Sequence, residues 1–346
     1  MAAPEAARLL RRAHLALFDA TTLRAKGVKD HLVARSFPAA SVRLFTSSGD
    51  SESNLSEFAG EAMLVTTPDL EALGSLDIAF LCGSSRDGAR YLGWAERAGF
   101  VAIDLTGAAN SSPGVPVVNT GVNPEAIAGS AAVIATPHPV SQLLSTLLAP
   151  LRRHGGLREA SAVVLQPASH FDAAGIDELY QQTIGLMNFK EIPREVFGRQ
   201  LAFNVLPAWL HEGGQGPGER SPDLEGEVLR ITGGGYPLGV QVVQAPVFHG
   251  HAAMVHLVLE NGRSRDDLLA CFKGSDEVRF ARRGDKTTPL ERAGEAGVLV
   301  AGVQRGLGDS SFWIWAVTDD LAGGTTLNAV RIAEALLEPA LSKGRA

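Results

Sequence analysis

Short apolar runs alternate with amphipathic stretches through the first third of the chain. "AHLALF" (13–18), "VRLF" (42–45), "IAFLC" (78–82) and "FVAIDL" (100–105) read as buried strands, while "VKDHLVARSF" (28–37) and "RDGARYLGWAERAG" (86–99) carry helical spacing. This βαβ rhythm predicts a parallel, doubly wound sheet. At Ile134-Ala135 another apolar run stops at Pro137-His138-Pro139, and Leu143, Leu144, Leu147 and Leu148 follow with helical periodicity. A strand that turns into a helix N-terminus suits a nucleophile, because the free N–H groups there stabilise negative charge. Here the turn holds a proline.

Beyond about residue 156 the strand-like runs lengthen: "ASAVVLQPAS" (160–169), "GVQVVQAPVFHGHAAMVHLVLE" (239–260) and "AGVLVAGVQR" (296–305). The last is followed by "GLGD" and "SSFWIWAVTDD", a hairpin pattern in which Trp313 and Trp315 suit sheet packing or an interface. The middle of the chain is therefore expected to be a mainly antiparallel sheet with helices on one face. "EGGQGPGERSPDLEG" (212–226) reads as a surface loop and "TTLNAVRIAEALLEPAL" (325–341) as a closing amphipathic helix.

Composition narrows the class. The 346 residues suffice for two domains, and 45% hydrophobic residues, 20% charged residues and 38 glycines are ordinary for an α/β protein. A net charge of −7 without a long basic run argues against nucleic acid or an anionic membrane as partner. No apolar run has transmembrane length, and no small-residue cleavage site follows an apolar core, so a cytoplasmic protein is the expectation. Cys82, at a strand end, and Cys271, in a helical pattern, make no disulfide framework and read as small buried residues.

Several stretches, in order and over nearly the whole chain, resemble the aspartate-semialdehyde dehydrogenase family: "FPAASVRLF" (37–45), "QPASHFDAAGIDEL" (166–179), "LAFNVLP" (201–207), "APVFHGHA" (245–252) and "DDLAGGTTLNAVRIAEAL" (319–336). The resemblance implies a Rossmann-type domain, 1–137 completed by 324–346. It also implies an inserted α+β dimerisation domain, 138–323, with a mainly antiparallel sheet.

In that family a cysteine thiolate attacks the aldehyde, hydride passes to NADP and phosphate cleaves the thioester. The cysteine ends an Asn-Pro-Asn-Cys turn, which is Thr136-Pro137-His138-Pro139 here, so the nucleophile position is Pro139. Proline has no nucleophilic atom, though it is comfortable in a first helical turn. Two arginines and a lysine that hold substrate and phosphate align with Asn110, Gln244 and, in a less secure loop, Asp223. Gln166 and His251 match the residue that orients the intermediate and the general acid/base.

The family's Gly-Ala-Thr-Gly-Ala-Val-Gly loop is "DATTLRA" (19–25): Asp19 brings charge beside a bound anion, Thr21 stands inside the loop, and Thr22 and Ala25 would obstruct the pyrophosphate. The arginine that reads the NADP 2′-phosphate aligns with Gly49, and the Ser-Gly-Ala-Gly loop is Ser169-His170-Phe171-Asp172.

The leading expectation is thus a non-catalytic homologue without a cofactor: a dimeric scaffold or regulatory protein linked to amino-acid biosynthesis, pairing with itself or with a catalytic paralogue. The alternatives are a divergent NADP-dependent semialdehyde dehydrogenase and a repurposed non-redox enzyme using His251. Gln166 and His251 stand either as relics or as working residues. His249 and His251 are expected to alternate on one strand. The family fold would bring His138, His170 and His251 together beside Asp172 and Gln166, either as a metal site or as a neutral hydrogen-bonded cluster.

Overall fold

The computed structural model describes residues 12–47, 55–127, 131–208, 222–260 and 262–337. The chain forms two compact domains that divide between Pro137 and His138 and again between Gly324 and Thr325.

The first domain begins with β1 (Ala13–Phe18), α1 (Leu23–Ala34), β2 (Ala39–Phe45), β3 (Leu55–Phe58), β4 (Glu61–Thr66) and β5 (Ile78–Leu81). It continues with α2 (Ser85–Ala98), β6 (Val101–Asp104) and β7 (Val133–Ala135). The sheet order is β3-β4-β2-β1-β5-β6-β7, parallel except for the β3/β4 ribbon. The chain winds outward from β1 on both sides, so the switch in strand order falls at β1/β5, where open α/β sheets bind ligands.

Alternate residues of each strand face opposite layers. Leu15, Leu17, Ile78, Phe80 and Ile103 pack with α1, while Ala16, Phe18, Ala79, Leu81 and Ala102 pack with Tyr91 and Ala95 of α2.

α1 starts five residues before the expected 28–37. Thr22 caps it by accepting the N–H of Ala25, a signal that "TTLRA" already carried. It ends where Ser36 turns to φ 51°, two residues before Pro38.

The second domain contains α3 (Pro139–Pro150), β8 (Leu157–Gln166), α4 (Asp172–Met187), β9 (Leu206–Pro207), α5 (Leu224–Thr232), β10 (Leu238–Gln244) and β11 (His251–Leu259). After these come α6 (Arg265–Ala270), β12 (Val278–Phe280), β13 (Val298–Arg305) and β14 (Ser311–Thr318). The sheet order is β12-β13-β14-β11-β8-β10-β9. β8/β10 and β12/β13 pair parallel and the remaining neighbours antiparallel, so the sheet is mainly antiparallel as expected. Its inner face, with Ala162, Val164, Val255, Leu257 and Ile314, packs on Leu143, Leu144, Leu147 and Leu148 of α3.

The apolar run 239–260 is two strands rather than one. Pro246 removes a donor and Gly250 turns through φ 83° with the backbone of Pro289 too close to admit a side chain freely. His249 therefore precedes β11 and does not share its face with His251. The expected loop 212–226 overlaps α5, whose cap is Asp223; residues 209–221 lie outside the described residues. Cys271 follows the last residue of the short α6 and is half-buried, not a helix-core position.

The chain returns to the first domain as α7 (Thr325–Leu337), whose Ala329, Val330, Ile332 and Ala333 join the α1 layer. Asn328 locks it in place. Its Oδ1 accepts the N–H and hydroxyl of Thr120 at 2.8 and 3.0 Å, and its Nδ2 donates to the Val118 carbonyl at 2.7 Å. Asn328 is buried, so truncation strands the Thr120 N–H and the Val118 carbonyl away from water. Asn328→Ala is expected to destabilise the first domain by roughly 2–4 kcal/mol, read as a lower urea midpoint by circular dichroism. An unchanged midpoint would show that the bonds contribute nothing net.

Candidate functional site

The turn before α3 is built to hold a helix start. Pro139 takes the first helical position, where a missing N–H costs nothing. His138 is the cap: its Nδ1 accepts the Val140 N–H at 3.2 Å, which fixes the ring's other nitrogen as the protonated one in the neutral form. The His138 N–H donates to the Glu227 carboxylate of α5 at 2.9 Å. Glu227 is buried, and no motif in the sequence marked it; its only signal was a glutamate on the inward stripe of a helix. Asp223, at the expected lysine position, is exposed and accepts the Gly226 N–H at 2.9 Å, so its carboxylate serves α5 as a helix cap.

Three strands place the remaining residues of this domain at one sheet end. β8 and β10 run parallel with Gln166 beside Gln244, and β11 starts with Ala252 opposite Leu165, which sets His251 level with Gln166. Gln166 Nε2 donates to Gln244 Oε1 at 3.1 Å, and Gln244 Nε2 donates to the Gln166 carbonyl at 3.0 Å. Both glutamines are buried. The side chain at the second arginine position is thus neutral and spends its amide on its neighbour.

His251 is 2% exposed, and neither ring nitrogen finds a hydrogen-bond partner among the described residues. Burial lowers its pKa below the usual histidine value, against the opposing pull of Asp320 and Asp319. The ring is neutral at neutral pH.

The loop Ser169–Asp172 turns from β8 into α4 through a positive φ. Asp172 sits at φ 60°, ψ −158°, a region that is nearly glycine-only, at the position of the last glycine of Ser-Gly-Ala-Gly. Its carboxylate accepts the Ala173 N–H at 2.8 Å. Gly175 behind it is held against the Ala168 carbonyl. The His170 ring meets His138 in a tilted contact, at 5.0 Å between centroids, and Phe171 edge-on, at 5.2 Å. Two of the three histidines therefore meet. Among the described residues no three His, Cys, Asp or Glu side chains are placed to hold a metal ion. One oxygen of the Asp172 carboxylate serves its own helix start, and His138 Nδ1 serves α3.

In the first domain the turn after β1 is filled from within. Asp19 adopts φ 58°, at the position of the first glycine of the resembled loop. Its carboxylate accepts the Ser47 N–H at 2.8 Å and lies directly against Gly83, where any Cβ would collide with it. Burial raises its pKa above the usual carboxylate value, partly offset by the Ser47 bond. The Thr22 hydroxyl lies within hydrogen-bond reach of the Asp19 and Cys82 carbonyls, at 3.0 and 3.2 Å, and Arg24 donates to the Gly83 carbonyl at 3.0 Å.

Ala25 is a correction: it is fully buried in the α1 core and obstructs nothing outside. Thr21 is exposed. The switch point carries a buried carboxylate and the side chains of Thr22 and Arg24. Asn110 is buried with its Nδ2 donating to the Thr136 carbonyl at 3.1 Å, so the first arginine position has also become a neutral internal contact. Gly49 lies outside the described residues. Cys82 is 1% exposed, and burial pushes its thiol far above the usual value, which disqualifies it as a substitute nucleophile.

Comparisons with known proteins follow the same two-domain division. Residues 30–130 match the profile described as the semialdehyde dehydrogenase NAD binding domain, and residues 148–322 match its dimerisation domain. Aspartate-semialdehyde dehydrogenase 2 of Vibrio cholerae is 28% identical over 94% of this chain and 97% of the relative. The USG-1 protein homolog of Pseudomonas aeruginosa, whose name states no activity, is also 28% identical, over 94% of this chain and 98% of the relative.

Among solved structures, the Vibrio cholerae aspartate semialdehyde dehydrogenase II complexed with ASA superposes with a TM-score of 0.84 at 27% identity, covering 96% of this chain and all of that one. A probable aspartate-semialdehyde dehydrogenase from Pseudomonas aeruginosa gives 0.83 at 26%, with the same coverage. The chain belongs to the aspartate-semialdehyde dehydrogenase family.

Proposed function

We propose that this chain is a non-catalytic member of its family: a homodimeric scaffold or regulatory protein linked to amino-acid biosynthesis, able to pair with a catalytic paralogue. The observation that carries the reading is Pro139 at the first position of α3, where the family nucleophile belongs. Cys82 cannot replace it, and the positions of the substrate-binding cations hold Asn110, Gln244 and Asp223, each spent on an internal hydrogen bond. The names of most relatives favour a divergent semialdehyde dehydrogenase, the alternative that would use NADP. Against that stand the missing nucleophile and a β1 turn closed by Asp19, Thr22 and Arg24. In this reading no dinucleotide is bound.

The decisive test is Pro139→Cys assayed beside the unaltered protein, with calorimetric titration of NADP and NAD into both. Neither protein is expected to reduce NADP with aspartate semialdehyde and phosphate, and neither dinucleotide is expected to bind with a Kd below about 1 mM. Turnover by the variant, or low-micromolar binding by either protein, would overturn the reading.

One observation favours a second reading, a repurposed non-redox enzyme: His251 has both ring nitrogens buried and without protein partners among the described residues. Its neutrality is directly testable. The folded pKa lies below the unfolded value of about 6.5, so the unfolded chain binds more protons once the pH falls below that value. The stability that His251 contributes is fully present above about pH 6.5 and is lost as the pH drops through it, by up to roughly 1.4 kcal/mol per pH unit. His251→Gln should flatten the decline of the urea midpoint between pH 7 and 5 relative to the unaltered protein. Parallel declines would mean that His251 takes up a proton in the folded state.

The homodimer rests on the matched dimerisation domain and on uncovered apolar surface. Val163, Met254 and Trp313 line the sheet face opposite the core at 44%, 39% and 40% exposure, and Met254 lies directly across from Val163. Tyr180, Ile184 and Met187 form an exposed stripe on α4. A second copy would cover such surface. Light scattering at micromolar concentration is expected to give the mass of two chains, and Met254→Asp to raise the dimer Kd by roughly tenfold or more. A monomeric unaltered protein would remove the claim.

A further inference from the structure

The end of the second sheet remote from His251 carries a cavity of about 850 Å³, lined where β11 ends, where α6 begins and around the β13–β14 hairpin. β11 runs from His251 to Leu259, so the two ends lie roughly 27 Å apart at about 3.4 Å per residue. The cavity belongs to neither the former nucleophile turn nor the glutamine pair, and its chemistry is independent of whether the family reaction survives.

Its lining is of two kinds. Half-buried Val258 and Leu307, 96% exposed at the hairpin tip, supply an apolar floor above the buried Leu259 and Phe312. Around this floor stand Arg263, Arg265 and Arg305, with Asp309 as the only acidic lining residue among the described residues, so the lining charge is three minus one, a net +2.

The arginines are weakly neutralised. Arg305 lies 3.8 Å from Asp309, with both side chains open to water at 71% and 100% exposure, a geometry worth little. Asp267, close enough for Arg263 to favour its charged form, has its Oδ2 committed to the N–H and hydroxyl of Ser264 in a capping box. The backbone N–H of Arg263 is tied to the Ser310 hydroxyl at 3.2 Å, which fixes the base of that side chain. Such a concentration of guanidinium groups in a protein of net charge −7 runs against the overall balance.

We propose that this cavity binds a phosphate monoester of a small organic molecule with an apolar or aromatic body. Guanidinium forks match phosphate oxygens in pairs, and a phosphate monoester carries about −1.5 to −2 at pH 7, close to the net lining charge. Pockets of roughly 300–1,000 Å³ hold organic ligands rather than a bare ion, and Val258 and Leu307 would take the apolar body.

The test titrates phenyl phosphate, inorganic phosphate and phenol into the full-length protein by calorimetry in low-salt buffer. Saturable binding of phenyl phosphate is expected with a Kd below about 1 mM, with inorganic phosphate at least roughly tenfold weaker and phenol not binding. Arg263→Gln and Arg305→Gln should each weaken phenyl phosphate by roughly tenfold or more, since each removes a charge-assisted contact, whereas Arg43→Gln in the other domain should not.

Unfolding midpoints of the variants are measured alongside, and the exposed Arg305 decides the matter if Arg263→Gln does not fold. Absence of saturation, equal affinity for inorganic phosphate, or undiminished binding by Arg305→Gln would each overturn the proposal.

Discussion

Two strand-to-helix turns whose backbones pass through positive φ, at Asp19 and Asp172, hold both halves of this architecture in place. The first lets β1 hand over to α1 at the switch point of the parallel sheet. The second lets β8 hand over to α4 beside the edge that carries Gln166 and His251. Glycine adopts such conformations freely; other residues do so at a cost of order 1–3 kcal/mol, and aspartate is among those that tolerate the left-handed region best. Each aspartate offsets part of that cost by accepting a backbone N–H, Asp19 from Ser47 and Asp172 from Ala173. The Asp172 bond lies within the turn it strains, whereas the Asp19 bond ties the β1 turn to the end of β2.

The same side chains decide the electrostatics. A glycine turn presents bare backbone to an anion; an aspartate turn fills that space and brings its own negative group. Desolvation raises the pKa of buried Asp19, yet the Ser47 bond holds the carboxyl in place. In the second domain, the glutamine pair is neutral. Gln166 and Gln244 satisfy one another in a buried setting where a lone amide would be costly, and nothing in that pairing calls for a substrate. His251 is the exception, since its ring is buried without that kind of compensation.

Cationic character has not vanished from the second domain. Arg263, Arg265 and Arg305 gather at the opposite end of the sheet, on the segments after β11 and at the end of β13. The same strands connect two chemically distinct ends, one neutral and one basic. Rigid antiparallel pairing from His251 to Val258 against Thr318 to Ser311 fixes the distance between them.

Much of this was legible in the chain itself. Apolar alternation and strand–helix rhythm determine the parallel sheet of the first domain, because burial on both faces of a doubly wound sheet leaves few other patterns. The absence of a thiol at Pro139 and of cations at Asn110 and Gln244 is likewise fixed by residue identity, since no packing can supply a missing functional group. Tertiary structure alone decided the rest. The apolar run from 239 to 260 broke into two strands because Gly250 meets Pro289 from a distant segment. Ala25 turned into the core while Asp19 turned onto Gly83, and periodicity cannot foresee which side chain fills a turn. The Gln166–Gln244 bond, the Glu227 contact to His138 and the three-arginine cavity all join residues far apart in sequence. Such sites depend on the register and direction of strands, which local propensity does not encode and long-range packing does.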